Sequence, residues 1–197
     1  MNMEKVFEER LKKYKLIAAI KEPKSIEKVI KYKDNISAVI LMTGNILNVK
    51  QYVDVLQSEG LPVILHVEKI GGLQVDQYGI DFIIDYIKPF GIVTTKSGII
   101  KRAKSRGMFV VQRIFLIDTE VYEHLLNSLE HLQADIVEIM PSRAPDFLDK
   151  LSGASPVPVI TGGLLSTVNH AKEALEHGAA AVTTSNTEMW KLDMNNL

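Results

Sequence analysis

Short apolar runs recur along the chain, and apolar residues in the stretches between them return every third or fourth position. The runs are "LIAAI" (Leu16 to Ile20), "ISAVILMT" (Ile36 to Thr43), "LPVILHVE" (Leu61 to Glu68) and "FGIVTT" (Phe90 to Thr95). Four more follow, "MFVVQRIF" (Met108 to Phe115), "ADIVEIMP" (Ala134 to Pro141), "VPVITGG" (Val157 to Gly163) and "AAAVTTS" (Ala179 to Ser185). Intervening segments such as "SIEKVIKY", "NVKQYVDVLQSEG", "TEVYEHLLNSLEHL" and "NHAKEALEHG" carry the helical period, often with a closing Gly. Strand then helix, eight times, predicts a parallel sheet. An open doubly wound sheet and a closed barrel both fit alternating units. Eight units favour closure, because a barrel leaves no strand edge to protect. The expected fold is therefore α/β, a compact single-domain TIM-type (β/α)8 barrel over residues 1–197. A short N-terminal helical extension runs through Lys15, and "KLDMNNL" at the end is expected to fray.

In such a barrel, function belongs to the C-terminal ends of the strands. Alternation in "LPVILHVE" puts Val63, Leu65 and Val67 on one face and Ile64, His66 and Glu68 on the other. The apolar face suits the outer helices, so His66 and Glu68 point into the mouth. The same reasoning sends Lys21 of "AAIKEP" and Glu138 of "DIVEIMP" inward. Gln112 and Arg113 lie on opposite faces, and either one can be the inward residue. The long connection "KIGGLQVDQYG" after the third strand is placed to fold over the opening.

Strands seven and eight end in small residues, Gly162-Gly163 and Thr184-Ser185, and "NTEMW" then offers the start of a short helix. Barrels commonly seat a phosphate on backbone N–H groups of these two loops. The bland alternative is a pair of tight turns, but the coincidence of both sequences at positions seven and eight favours phosphate. For His66 the ordinary reading is a hydrogen-bonded interior residue. Glu68 and Glu138 can orient substrate hydroxyls, act as acid and base, or hold a divalent cation with His66. Of these uses the hydroxyl contacts are preferred, and no metal or cofactor is assigned.

Composition narrows the partners. At 197 residues with 46% hydrophobic and 24% charged positions, the chain has material for one core. A net charge of -1 argues against a protein that coats nucleic acid. The absence of cysteine suits a reducing compartment. No apolar stretch reaches the roughly 20 residues of a membrane span, and "MNMEKVFEERLKKYK" is too charged for a secretory core. A cytoplasmic protein is expected. One local basic run stands out in "TTKSGIIKRAKSRG": Lys96, Lys101, Arg102, Lys104 and Arg106 accumulate without an acidic residue. It reads either as a solvated helix face or as a candidate RNA surface.

The ordered set "VILHVEKIGGLQVDQYGIDFI", "IKPFGIVTTKSGIIKRAK", "VVQRIFLIDT", "DIVEIMPS", "PVITGGL" and "AAVTTSNTEMW" resembles the glycerol-3-phosphate-responsive antiterminator family, regulators of glycerol uptake operons in Gram-positive bacteria. The resemblance covers nearly the whole chain from the second strand onward. It implies a sensor that binds glycerol-3-phosphate and acts on leader mRNA so that transcription passes a terminator. In that setting Gly162, Gly163, Thr184 and Ser185 are the candidates for the phosphate. Lys21, His66, Glu68, Arg113 and Glu138 are the candidates for the glycerol hydroxyls or for further phosphate charge. The competing class is a small phosphosugar isomerase, epimerase or aldolase with His66 and a carboxylate as proton-transfer pair.

Overall fold

A computed structural model describes residues 3–197; Met1 and Asn2, the start of the N-terminal extension, lie outside the described residues. Eight parallel strands close into one barrel in sequence order: β1 (Leu16–Ile20), β2 (Ala38–Leu41), β3 (Val63–His66), β4 (Gly91–Thr94), β5 (Phe109–Phe115), β6 (Ile136–Met140), β7 (Val159–Gly162) and β8 (Ala181–Thr184). Leu16 pairs with Val182, and this β1–β8 ladder completes the circle. Strand residues are buried throughout except in β5 and at the end of β6, as expected where helices cover one face and the barrel interior covers the other.

Seven helices connect the strands: α2 (Ile26–Lys31), α3 (Val49–Ser58), α4 (Gln77–Phe82), α5 (Ser97–Ser105), α6 (Thr119–Ser128), α7 (Pro145–Ala154) and α8 (Val168–Glu176). Their starts follow from side chains that satisfy free amides. Asp76, Asp118 and Thr167 accept from the N–H three residues on, and Pro145 opens α7 where its missing N–H costs nothing. The expected eighth connecting helix does not form. After β8 come two single 3-10 turns, Met189–Lys191 and Met194–Asn196.

The N-terminal extension is α1 (Met3–Tyr14), and it closes the lower end of the barrel. Phe7 and Leu11, one helical turn apart, join the interior residues Ile17, Ile40, Ile64 and Val111 in one buried cluster. Phe7 lies 5.1 Å from the rings of both Phe90 and Phe109, which lie 4.6 Å from each other. Burying a side chain of this size contributes about 1.5–3 kcal/mol. Arg10 fixes the helix in place by donating to the carbonyls of Lys33, Ile36 and Ser37. The C-terminal segment, expected to fray, is docked instead: Met194 is buried and Asn195 Nδ2 donates to Lys13 O at 2.7 Å. Among the described residues no helix is long and apolar enough to cross a membrane.

Candidate functional site

At the C-terminal ends of the strands the interior changes from apolar to polar and opens into a cavity of about 450 Å³, ordinary for a small-molecule site. Lys21, His66, Glu68 and Arg113 line it, as the alternation argument requires for the first three. For β5 the structure decides between neighbours: Arg113 faces the cavity and is 5% exposed, whereas Gln112 sits on the outer face.

Arg113 is the centre of a buried chain of contacts. Its Nε donates to Glu138 Oε2 at 2.6 Å, and Thr183 Oγ1 donates to Glu138 Oε1 at 2.7 Å. Glu138 is 0% exposed and has both oxygens engaged, so it supports Arg113 from behind and does not itself line the cavity. Neither terminal nitrogen of Arg113 has a protein hydrogen-bond partner among the described residues. A guanidinium anchored at one edge presents its remaining N–H groups in a fixed fork. Thr183 was passed over in the sequence, although the alternation that points Ala181 inward points it inward too.

Across the mouth, Glu68 accepts a hydrogen bond from Thr94 Oγ1, and its Oε2 lies 3.2 Å from His66 Nδ1. Burial opposes ionisation of this carboxylate, but the His66 ring and the Thr94 hydroxyl outweigh it and lower the pKa from 4.5 to about 2. Glu68 is therefore an anion at neutral pH. His66 is 5% exposed, and its Nδ1 is close to Glu68 without the alignment of a hydrogen bond. Among the described residues no three His, Cys, Asp or Glu side chains converge as a metal site.

Another wall of the cavity comes from the loops after β7 and β8. Gly163, Thr184 and Ser185 line the cavity, and Gly162 does not. A Cβ on Gly162 would lie 1.9 Å from Thr183 Oγ1, so this glycine makes room for the hydroxyl that holds Glu138. Gly163 adopts a φ of +73°, and its carbonyl accepts from Ser142 N and Oγ, which tethers the loop to the end of β6. Leu164 follows at φ 55°, a left-handed position that non-glycine residues seldom take, and its exposed side chain edges the opening.

The short helix expected at "NTEMW" is a compact turn. Asn186 N donates to Thr184 Oγ1, Glu188 N to Asn186 Oδ1 and Met189 N to Asn186 O, while the Trp190 indole donates to Thr184 O. Those amides are internally engaged, which leaves the segment around Gly163 and Ser185 as the wall. Lys69, next to Glu68 in the 3-10 turn after β3, adds an exposed ammonium that sequence reasoning missed, because in that turn adjacent residues both reach the mouth whereas alternation sends only one of them. The "KIGGLQVDQYG" loop turns sideways: Gly71 N donates to Gly44 O, and Ile46 N donates to Gly71 O. Lys69 at its start lines the cavity, and residues 70–79 turn to the β2 loop and do not line it.

The basic run lies on α5 and at its two ends, where three of its five cations have acidic partners. Arg102 contacts Asp81, Arg106 contacts Asp81 and Asp85, and Lys104 Nζ lies 2.7 Å from Asp135. Lys96 and Lys101 are exposed and have no acidic partner among the described residues. The charge is thus far less concentrated than the sequence implied, because the acids arrive from other segments.

A glycerol uptake operon antiterminator regulatory protein from Listeria monocytogenes is 32% identical, over 89% of this chain and 94% of that one, with a TM-score of 0.82. A related protein of Thermotoga maritima is 29% identical over 91% of this chain and 99% of that one, with a TM-score of 0.79. The uncharacterised Escherichia coli K12 protein YgcP is 27% identical over 92% of this chain and 94% of its own length. Residues 16–190 match the family model described as glycerol-3-phosphate responsive antiterminator, and the chain belongs to that family.

Proposed function

We propose that this protein is an effector-gated antiterminator of the cytoplasm, which binds glycerol-3-phosphate in the barrel mouth and acts on the leader RNA of glycerol uptake genes. The observation that carries the reading is the mouth itself: the Gly163–Ser185 side offers backbone and hydroxyl groups, while Arg113, His66 and Glu68 face it across one cavity. The phosphate rests against Gly163, Thr184 and Ser185, with Lys21 and Lys69 offsetting its charge. The glycerol hydroxyls meet Glu68, His66 and the Arg113 fork. No cofactor takes part.

Ligand binding draws the mouth loops together and favours the RNA-competent arrangement. Linkage then requires ligand and RNA to raise one another's affinity by the same factor. Lys96 and Lys101 are the members of the basic run available to RNA phosphates.

The test is calorimetric titration with glycerol-3-phosphate, with glycerol and inorganic phosphate as controls, followed by recovery of the ester. The expected result is binding of the intact ester, its return unaltered, and tighter leader-RNA binding in its presence. Conversion of the ester would move the protein to the phosphosugar enzymes of this fold. Unchanged RNA affinity at saturating ligand would end the gating mechanism.

A further inference from the structure

The Arg113 fork is more than a hydroxyl donor requires. We propose that Arg113 forms a second anion subsite, so that the mouth takes phosphate esters of small hydroxy acids, with the carboxylate on Arg113 and the phosphate on the Gly163–Ser185 wall. The proposal rests on the mouth being the ligand site, as argued above, and extends it to a second class of ligand.

Three observations lead there. First, Arg113 is 95% buried in complement to its 5% exposure, lines the cavity, and has terminal nitrogens without protein partners among the described residues. Those N–H groups open onto the cavity, and a planar carboxylate there matches two of them at once. Second, the fork cannot swing away. Glu138 holds Nε, and Thr183 holds Glu138, whose oxygens are both turned from the cavity and engaged. Third, the charges of the wall favour an anion with more than one acidic group. Lys21, Lys69 and Arg113 line the cavity against Glu68 on the same surface and Glu138 behind Arg113, which leaves three cations to two carboxylates.

Position separates the two subsites. Arg113 belongs to β5, whereas Gly163 follows β7 and Ser185 follows β8. The guanidinium and the wall are therefore separate groups of donors around one cavity. Glu68 and His66 already offer an acceptor and a polar ring for hydroxyls, so hydroxyl recognition does not account for a buried guanidinium. A three-carbon chain with a phosphate at one end and a carboxylate at the other does.

A matched pair of probes isolates the claim. Glycerol-3-phosphate and 3-phosphoglycerate share the phosphate and the middle hydroxyl, and differ in whether the far carbon is a hydroxymethyl or a carboxylate. Calorimetry on the full chain is expected to show 3-phosphoglycerate binding at least as tightly as glycerol-3-phosphate. Arg113→Lys keeps a cation beside Glu138 but removes the fork. It should weaken 3-phosphoglycerate by about tenfold or more, and glycerol-3-phosphate, which gives the fork only a hydroxyl, by a clearly smaller factor. The paired variant Arg113→Met with Glu138→Met removes the fork without stranding a buried charge, and its melting temperature reports that the barrel is intact.

The subsite is overturned if the native chain does not bind 3-phosphoglycerate, if the variants leave its affinity unchanged, or if they weaken both esters alike. Binding of glycerol-3-phosphate alone removes the subsite and leaves the proposed function standing. Binding of 3-phosphoglycerate alone, lost in the variants, does the reverse. Binding of neither removes both.

Discussion

The two ends of the barrel are built from the same strands and have opposite chemistry. At the lower end Phe7, Phe90 and Phe109 pack in tilted and edge-on contacts beneath an apolar interior, and α1 covers it. At the upper end the interior carries Arg113, Glu138 and Thr183, then opens to the cavity. The aromatic cluster of the lower end is met by protein atoms, whereas the upper end leaves the Arg113 fork and His66 Nδ1 without aligned protein partners. A barrel thus divides its labour along its axis, with packing below and recognition above. The lower end is where substitutions should register as stability alone.

The sharpest break of that contrast is Phe7→Ala. Removing a ring packed between two others should cost about 3–5 kcal/mol in urea unfolding, while ligand affinity of the folded fraction changes by less than about twofold because the mouth is at the other end. A large loss of affinity would show the two ends to be coupled.

Next in size is Glu138→Gln, which keeps the volume and removes the carboxylate behind Arg113. Loss of one partner in this buried chain should cost about 1–3 kcal/mol. Unlike the Phe7 variant, it should also weaken ligand binding, since the fork is no longer held. Parallel urea melts with and without glycerol-3-phosphate check both effects.

The smallest effect concerns pH. The Glu68 pKa falls from 4.5 to about 2 on folding, so its ionised form stabilises the barrel fully above 4.5 and loses that contribution as pH falls through about 2. Allowing for the solvent that reaches this half-buried group, the contribution is on the order of 1–2 kcal/mol. Glu68→Gln should remove it, so the stability gap between native chain and variant should close between these two pH values.

Much of this division was legible in the sequence. Period and count led to the closed barrel, and alternation in β3 sent His66 and Glu68 to the mouth. What remained hidden was set by contacts between distant segments. Gln112 and Arg113 are adjacent polar residues, and only barrel closure chooses which one turns inward. Gly162 looks like a phosphate residue because it precedes Gly163, yet its small size serves Thr183 on the neighbouring strand. Likewise the basic run looked unopposed because Asp81, Asp85 and Asp135 lie outside it. The C-terminal segment gave no period to read, and it is held by Met194 burial and by the bond from Asn195 to Lys13.

The pairing of Leu16 with Val182 also has a history in time. At a synthesis rate of about 5–20 residues per second, roughly ten to thirty seconds separate the appearance of these two positions. Throughout that interval β1 has an edge with no neighbour, and the floor that receives Phe7 is missing until Phe90 and Phe109 have been made. The nascent chain must therefore carry its first strand and first helix as waiting parts. A cell that makes this barrel has to keep them from pairing with anything else until β8 arrives.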